Sequence, residues 1–125
     1  IVAATYNGDI SDEDCLTTSP ILAPIAWYKG TTNATTPQPV AQKDANPWGL
    51  YDMLGNVWEW TWDWFDFYSN TTSDPIGAIQ GSQRSARGCS YHTKPINCRA
   101  AARGMTSPQE AWPGLGFRPA RTIHE

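Results

Sequence analysis

The chain has 125 residues, of which 40% are apolar and 17% charged, so we expect one domain, residues 1–125, with its own core. Ten glycines and ten prolines argue against a helical bundle or a coiled coil. A net charge of −3 argues against a nucleic-acid partner, because such proteins carry a basic face. A membrane partner is also not expected, since no apolar run approaches the roughly 20 residues of a membrane span.

The first half of the chain predicts loops and one short helix. Residues 21–28 form an apolar run broken by Pro24, which predicts an edge segment or a wall of the core. Residues 30–39 are rich in Thr, Asn and Pro and predict a surface loop. Residues 47–54 are compatible with a helix of about two turns, capped by Asn46 and ended by Gly55.

Tryptophan recurs at every second position from Trp58 to Trp64. This period predicts a strand over residues 57–63 with four indoles on one face, because alternate side chains of a strand point the same way. Burial of indoles on this scale predicts that the strand is the spine of the core. The alternative is an open indole stripe that binds sugar rings or other ligands, and for Trp64, at the strand end, the two possibilities are equal.

Three further strands are predicted, over residues 84–91, 99–103 and 116–118, with turns at residues 74–77 and at Gly81. As a strand, the segment around residues 99–103 places Arg99, Ala101 and Arg103 on one side and Cys98, Ala100 and Ala102 on the other. The alternation predicts close packing under the alanines and a polar face that holds carboxylates or a ligand.

The chain has three cysteines, Cys15, Cys89 and Cys98. At most two can pair, and the favoured interpretation is three buried or inert thiols in a reducing compartment. No cysteine spacing indicates a zinc site.

Five ordered blocks of the sequence resemble the formylglycine-generating enzyme, or sulfatase-modifying factor, family. They are NPWGLYDMLGNVWEW at residues 46–60, DPIG at 74–77, RGCSY at 87–91, CRAAAR at 98–103 and GFR at 116–118. The resemblance implies an α+β fold, irregular and loop-rich, with short antiparallel strands and related to the C-type lectin fold. It covers the C-terminal half of the family domain. The chain is therefore expected to be a minimal version of the domain, a fragment of it, or a half that a partner chain or a homo-oligomer completes.

Copper is not expected, although the resembling oxygen-using enzymes bind it through two cysteines just after the block that corresponds to residues 87–91. Those two positions fall near His92 and Pro95, and Cys89 and Cys98 lie elsewhere in the alignment. Because Cu(I) favours paired thiolates, the resemblance leans away from catalysis. If the chain is nevertheless an enzyme, its candidate catalytic residues are Cys89, Cys98 and Ser90.

The resemblance also implies a structural Ca²⁺ site at the loop that enters the tryptophan strand. By position, the ligands are the carboxylates of Asp52 and Glu59 and the main-chain carbonyls of Gly55 and Val57. Hard Ca²⁺ prefers such a set of oxygens. The alternative is a hydrogen-bonded turn without metal, in which Glu59 pairs with an arginine.

The substrate cleft of the family corresponds to a polar face with nearby tryptophans. We expect a small-molecule, peptide or protein ligand to be bound there by Trp64, Ser90, Tyr91, His92, Arg99, Arg103 and Trp112. Arg99 and Arg103 are suited to clamp a carboxylate; alternatively, they pair with Glu59, Asp63 or Asp66.

Together these features favour a non-catalytic, Ca²⁺-stabilised ligand- or partner-binding module. The alternative is a divergent or truncated formylglycine-generating oxidoreductase that acts on a cysteine of a protein substrate.

Overall fold

A computed structural model of the chain describes residues 3–5, 8–10, 19–31, 35–67 and 77–121. The described residues contain six short strands, β1 to β6, and a single 3₁₀ turn at Pro95–Asn97. The strands are Ala3–Thr5, Gly8–Ile10, Trp58–Trp64, Arg84–Arg87, Gly104–Thr106 and Leu115–Gly116. Across these residues no helix has the length and apolar character needed to cross a bilayer.

Strands β3 to β6 form one sheet with the order β5-β4-β3-β6. β3 and β5 pair antiparallel with β4, whereas β6 runs parallel to β3. β1 and β2 form a separate antiparallel pair that the sequence analysis does not predict. The helical part of the predicted α+β class is not confirmed, because the described residues hold only the 3₁₀ turn.

The predicted helix over residues 47–54 is wrong, and the side chain of Asn46 explains why. Its Oδ1 accepts hydrogen bonds from the backbone N–H groups of Trp48 and Leu50, both at 3.0 Å. The Asn46 carbonyl also accepts one from Gly49 N at 2.9 Å, and Gly49 has a positive φ of 74°. An Asn side chain that bonds its own following backbone makes a turn and competes with a helix.

The core lies beside the tryptophan strand rather than on it. Seven side chains form the buried cluster: Leu22, Ile25, Ala26, Tyr28, Leu54, Cys89 and Cys98. Residues 21–28 are therefore a wall of the core, as one of the two predictions for them states. Fully buried Tyr28 accepts a hydrogen bond from Ser19 N at 2.7 Å, so its hydroxyl is satisfied inside this cluster.

The tryptophan strand is confirmed with a shift of one residue, but its indoles do not share one face. Trp58 packs against the core cluster, and Trp60 and Trp64 are half-buried, whereas Trp62 is 89% exposed. Between Trp60 and Trp64 the pairing register with β4 shifts, since four residue steps on β3 oppose two on β4. Such a bulge re-aims the side chains beyond it, which is why the period of two does not place all four together.

The predicted strand over residues 99–103 is also wrong. These residues follow the 3₁₀ turn as a bend and turn, and the next strand begins at Gly104. Of the two alanines expected to pack closely, Ala100 is exposed and Ala102 is half-buried. The strand predicted over 84–91 ends at Arg87, and the last strand lies at Leu115–Gly116 rather than 116–118. The turn predicted at residues 74–77 lies outside the described residues except for Gly77.

Candidate functional site

Cys89 and Cys98 form a disulfide in the core, with their Cα atoms 5.2 Å apart. The interpretation of three unpaired thiols is therefore wrong for these two, although both are buried, at 1% and 0% exposure. Cys15 lies outside the described residues. Sequence spacing gave no signal for the pair, because the 3₁₀ turn between the two cysteines reverses the chain and brings them together.

Ser90 has no access to solvent and is held by its own loop. Its backbone N–H donates to Thr93 Oγ1 at 3.1 Å, and the two hydroxyls lie 2.9 Å apart. The Ser90 hydroxyl also lies 3.3 Å from His92 Nδ1. These contacts position the loop, and all three candidate catalytic residues, Cys89, Ser90 and Cys98, are buried.

Three of the expected ligand-binding residues form one aromatic cluster. The rings of Tyr91 and His92 meet edge to face at 4.9 Å, and those of His92 and Trp112 at 5.5 Å. His92 is exposed and Trp112 is half-buried, whereas Tyr91 is buried. We call Tyr91, His92 and Trp112 the ring cluster. It presents an aromatic edge with one titratable group to solvent.

Ser90 contacts the ring cluster through His92, but Trp64, Arg99 and Arg103 do not join it. Trp64 carries the guanidinium of Arg84 over its ring at 3.6 Å, and Arg103 donates from Nη2 to the Asp66 carbonyl at 2.8 Å. Arg99 is exposed in the turn that follows Cys98. The ring cluster lies at the start of β3, where Trp58 N donates to Gly114 O and Tyr91 N to Asn56 O. Trp64 ends the same strand, roughly 20 Å away at 3.3 Å per residue.

Among the described residues, neither Arg99 nor Arg103 forms an ion pair with the carboxylates suggested as alternative partners, those of Glu59, Asp63 and Asp66. Glu59 pairs instead with Arg118, whose Nε and Nη2 donate to the two carboxylate oxygens at 2.9 and 2.7 Å. Nη2 also donates to the carbonyls of Tyr51 and Asp52. The hydrogen bonds to the Glu59 side chain raise the pKa of Arg118 against the opposing effect of burial, and the charges of Glu59 and Asp52 add to the rise. Arg118 was not among the candidate residues, although it ends the GFR block.

The expected calcium ligands lie in a loop with an unusual backbone. Asp52, Gly55 and Asn56 all have positive φ angles, of 53°, 82° and 63°. A Cβ at Gly55 would overlap the backbone of Trp27, so only glycine fits there. Asn56, which the sequence analysis did not single out, fixes the loop through two hydrogen bonds with the backbone of Gln38 and one from its own N–H to Trp27 O.

The two carboxylates of the expected calcium site differ in how well they suit a cation. Asp52 is 8% exposed; its Oδ2 accepts from Ala41 N at 2.8 Å, but its Oδ1 is buried without a hydrogen-bond partner. A buried oxygen of this kind is what a cation ligand presents. Both oxygens of Glu59 are engaged by Arg118. Asp52 therefore fits the ion, whereas Glu59 does so only if Arg118 shares or releases it.

Comparison with known proteins relates the chain to one family. Residues 14–123 match the model of the sulfatase-modifying factor enzyme 1-like domain. The mouse formylglycine-generating enzyme is 39% identical over 87 residues, which cover 66% of this chain and 23% of the enzyme. The serine/threonine-protein kinase pkn1 of Chlamydia caviae is 39% identical over 90 residues, covering 68% of this chain and 15% of that protein. The chain thus spans about a quarter or less of the length of these curated relatives.

Two solved structures share the arrangement of the chain. Treponema denticola variable protein 1 superposes with a TM-score of 0.68 at 32% identity, covering 86% of this chain and 37% of that one. PvdO from Pseudomonas aeruginosa superposes with a TM-score of 0.67 at 27% identity, covering 76% of this chain and 38% of that one. The matched model covers most of the sequence, and we conclude that the chain belongs to the sulfatase-modifying factor family.

Proposed function

We propose that this chain is a non-catalytic module on the sulfatase-modifying factor scaffold that binds a ligand or partner through the ring cluster. The observation that carries the proposal is the buried disulfide between Cys89 and Cys98. A thiolate is the reactive form of cysteine, and a disulfide within the core offers none to a substrate.

The ring cluster supports the binding half of the proposal. His92 is exposed and Trp112 is half-buried, and the His92 ring contacts both the Trp112 ring and the buried Tyr91 ring. Aromatic groups of this kind supply large contact areas at low conformational cost. The loop beneath is anchored by the disulfide and by the Ser90–Thr93 contacts, so the rings are fixed before binding.

The binding half is tested by exposing a peptide and glycan array to the wild-type chain. We expect at least one array member to bind and to lose its signal in a His92→Ala, Trp112→Ala double variant. Trp62→Ala is the matched control, because its indole is 89% exposed and lies outside the ring cluster. An array on which every signal survives the double variant, or on which nothing binds, contradicts a ring-cluster site.

The second candidate is a formylglycine-generating oxidoreductase, and the identity to enzymes of that name favours it. Reduction would place two thiols on residues whose Cα atoms lie 5.2 Å apart, a spacing that a soft metal could use. The core position of both sulfurs argues against substrate access.

A single assay separates the two candidates. The chain is incubated with Cu(I), oxygen and a cysteine peptide, both as isolated and after mild reduction, and the peptide is weighed by mass spectrometry. The proposal predicts no formylglycine in either sample, and any disulfide of the peptide that copper and oxygen form is also expected in a sample without the chain. Conversion of the peptide cysteine to formylglycine in either sample would replace the proposal with the enzyme.

We also propose that Ca²⁺ stabilises the loop through Asp52, Gly55, Val57 and Glu59. The unpartnered, buried Oδ1 of Asp52 supports this. The ion would act as a structural tie between this loop and β3, and Arg118 would share the Glu59 carboxylate with it. Addition of EDTA is expected to lower the melting temperature of wild-type protein but not that of Asp52→Asn. A melting temperature that EDTA leaves unchanged in the wild type would rule out the ion.

A further inference from the structure

An open cleft lies between the loop of residues 46–54 and the end of β4, away from the ring cluster. Its volume is about 360 Å³. Its apolar wall consists of Trp48, Met53, Leu54 and Ala100, and its polar groups are Asn46 and Arg87. The cleft is therefore an apolar space with a single charged group at its edge, which is the usual composition of a small-molecule site.

The size of the cleft indicates a ligand with more than one ring. A cavity of about 150 Å³ lined by aliphatic and aromatic groups suffices for benzene. Roughly twice that volume, with one side open, accommodates a flat two-ring body. Trp48 is 82% exposed and supplies a planar surface on which such a body can stack.

Arg87 gives the cleft a positive charge that its neighbours leave largely available. Its Nη1 makes one long hydrogen bond, 3.3 Å to the Ala100 carbonyl. Glu59 lies opposite Arg87 in the β3–β4 ladder, but its carboxylate forms an ion pair with Arg118. Asp63 lies close enough for the charge of Arg87 to contribute to its lowered pKa, but its Oδ2 is bonded to Ser85 at 2.8 Å. Within the described part of the chain, no carboxylate forms an ion pair with Arg87.

The disulfide holds the walls of the cleft in place. Gly88, which also lines it, precedes Cys89, and Ala100 lies two residues after Cys98. The hydrogen bond from Arg87 to Ala100 ties the same two segments a second time. The disulfide therefore joins the two segments on one side of the cleft, those of Gly88 and Ala100, so this side is preformed and a ligand need not order it.

We propose that this cleft binds a flat two-ring aromatic carboxylate, with the ring against Trp48 and the carboxylate on the Arg87 guanidinium. No residue of the ring cluster and none of the four proposed calcium ligands lines the cleft, so the proposal uses neither set. Met53 and Leu54 nevertheless belong to the loop that carries Asp52 and Gly55. Its chemistry is charge complementarity between one guanidinium and one carboxylate across an otherwise apolar space.

The test uses naphthalene carboxylate and its neutral carboxamide as probes in titration calorimetry. We expect the carboxylate to bind about tenfold more tightly than the amide, the scale of one charge-assisted hydrogen-bond pair. Arg87→Gln is expected to reduce the affinity for the carboxylate about tenfold and to leave the amide unchanged. Trp48→Ala is expected to weaken both probes, and Trp62→Ala, an exposed tryptophan elsewhere, neither.

Three results would overturn the proposal: no binding of the carboxylate, equal affinity for both probes in the wild type, or an equal loss in Trp48→Ala and Trp62→Ala. The comparison of probes in the wild type decides the charge claim even if Arg87→Gln does not fold. Trp48→Ala removes an exposed indole, so its folding is not at risk.

Discussion

The two ends of β3 carry the same residue type and have opposite environments. At the first end, Trp58 packs against the core cluster, Arg118 clasps Glu59, and the disulfide lies beneath the adjoining loop. At the far end, beyond the register shift, Trp62 is exposed and Arg84 lies over the Trp64 ring at 3.6 Å. Burial at the first end comes from residues 19–28 packing beside the strand, so neighbours rather than residue type decide what a tryptophan does.

Replacing a tryptophan by alanine at each end of β3 should give the largest difference in stability between the two ends. Trp58→Ala removes a half-buried indole that packs against the core cluster and is expected to lower the free energy of unfolding by about 3 kcal/mol. Trp62→Ala is expected to change it by less than about 0.5 kcal/mol, since its side chain is almost fully exposed. Urea denaturation of both variants measures the difference. Equal losses would mean that the two ends are packed alike.

Removing the disulfide should cause the second-largest loss of stability, and it should affect only the first end of β3. Cys98→Ser opens a loop of nine residue steps, and the chain-entropy cost of such a loop is about 2.5 kcal/mol. The matched control is Cys15→Ser, which leaves this bond intact. Denaturation under non-reducing conditions measures the loss, and a Cys98→Ser variant as stable as the control would show that the bond contributes nothing.

Much of β3 was predictable because alternation is a local property. The strand was expected over residues 57–63 and lies at Trp58–Trp64, and the start of β4 at Arg84 agrees as well. The fate of its indoles was not predictable, because the shift between Trp60 and Trp64 depends on pairing with a distant strand. The helix at 47–54 failed for a local reason, since Asn46 bonds the backbone of its own turn.

The candidate site was predictable only in part, because contacts between distant parts of the chain decide which of its residues meet. Tyr91, His92 and Trp112 do converge, but Trp64, Arg99 and Arg103 lie elsewhere. The pairing of Cys89 with Cys98 and of Glu59 with Arg118 arises from chain reversal and strand order, which no spacing encodes. Family blocks locate such residues in the sequence without stating which of them touch.

Acid should weaken the far end of β3 slightly through Asp63. Burial opposes the shift, but hydrogen bonds from Thr61 and Ser85 and the charge of Arg87 lower the pKa of Asp63 below 3.8. Because the folded value is the lower one, its contribution is complete above pH 3.8 and is lost as the pH falls through the folded pKa. The group is only half-buried and its charge is partly screened by solvent, so the effect is expected to stay under about 1 kcal/mol.

The measurement is a urea midpoint at pH 6 and at pH 3, conditions chosen to lie on either side of roughly the usual Asp pKa. Wild type is expected to lose more stability between them than Asp63→Asn does. If the two proteins lose the same amount, the carboxylate is not stabilised by Thr61, Ser85 and Arg87 in the folded state.

The proposed function depends on the disulfide between Cys89 and Cys98, because two sulfurs bonded to each other inside the core offer no thiol to a substrate. Native, non-reducing alkylation followed by peptide mapping tests it most directly. We expect one linked peptide pair that joins Cys89 to Cys98. Neither cysteine should be alkylated until the chain is unfolded and reduced. Rapid alkylation of both residues in the folded chain would contradict it, since they would then be accessible thiols.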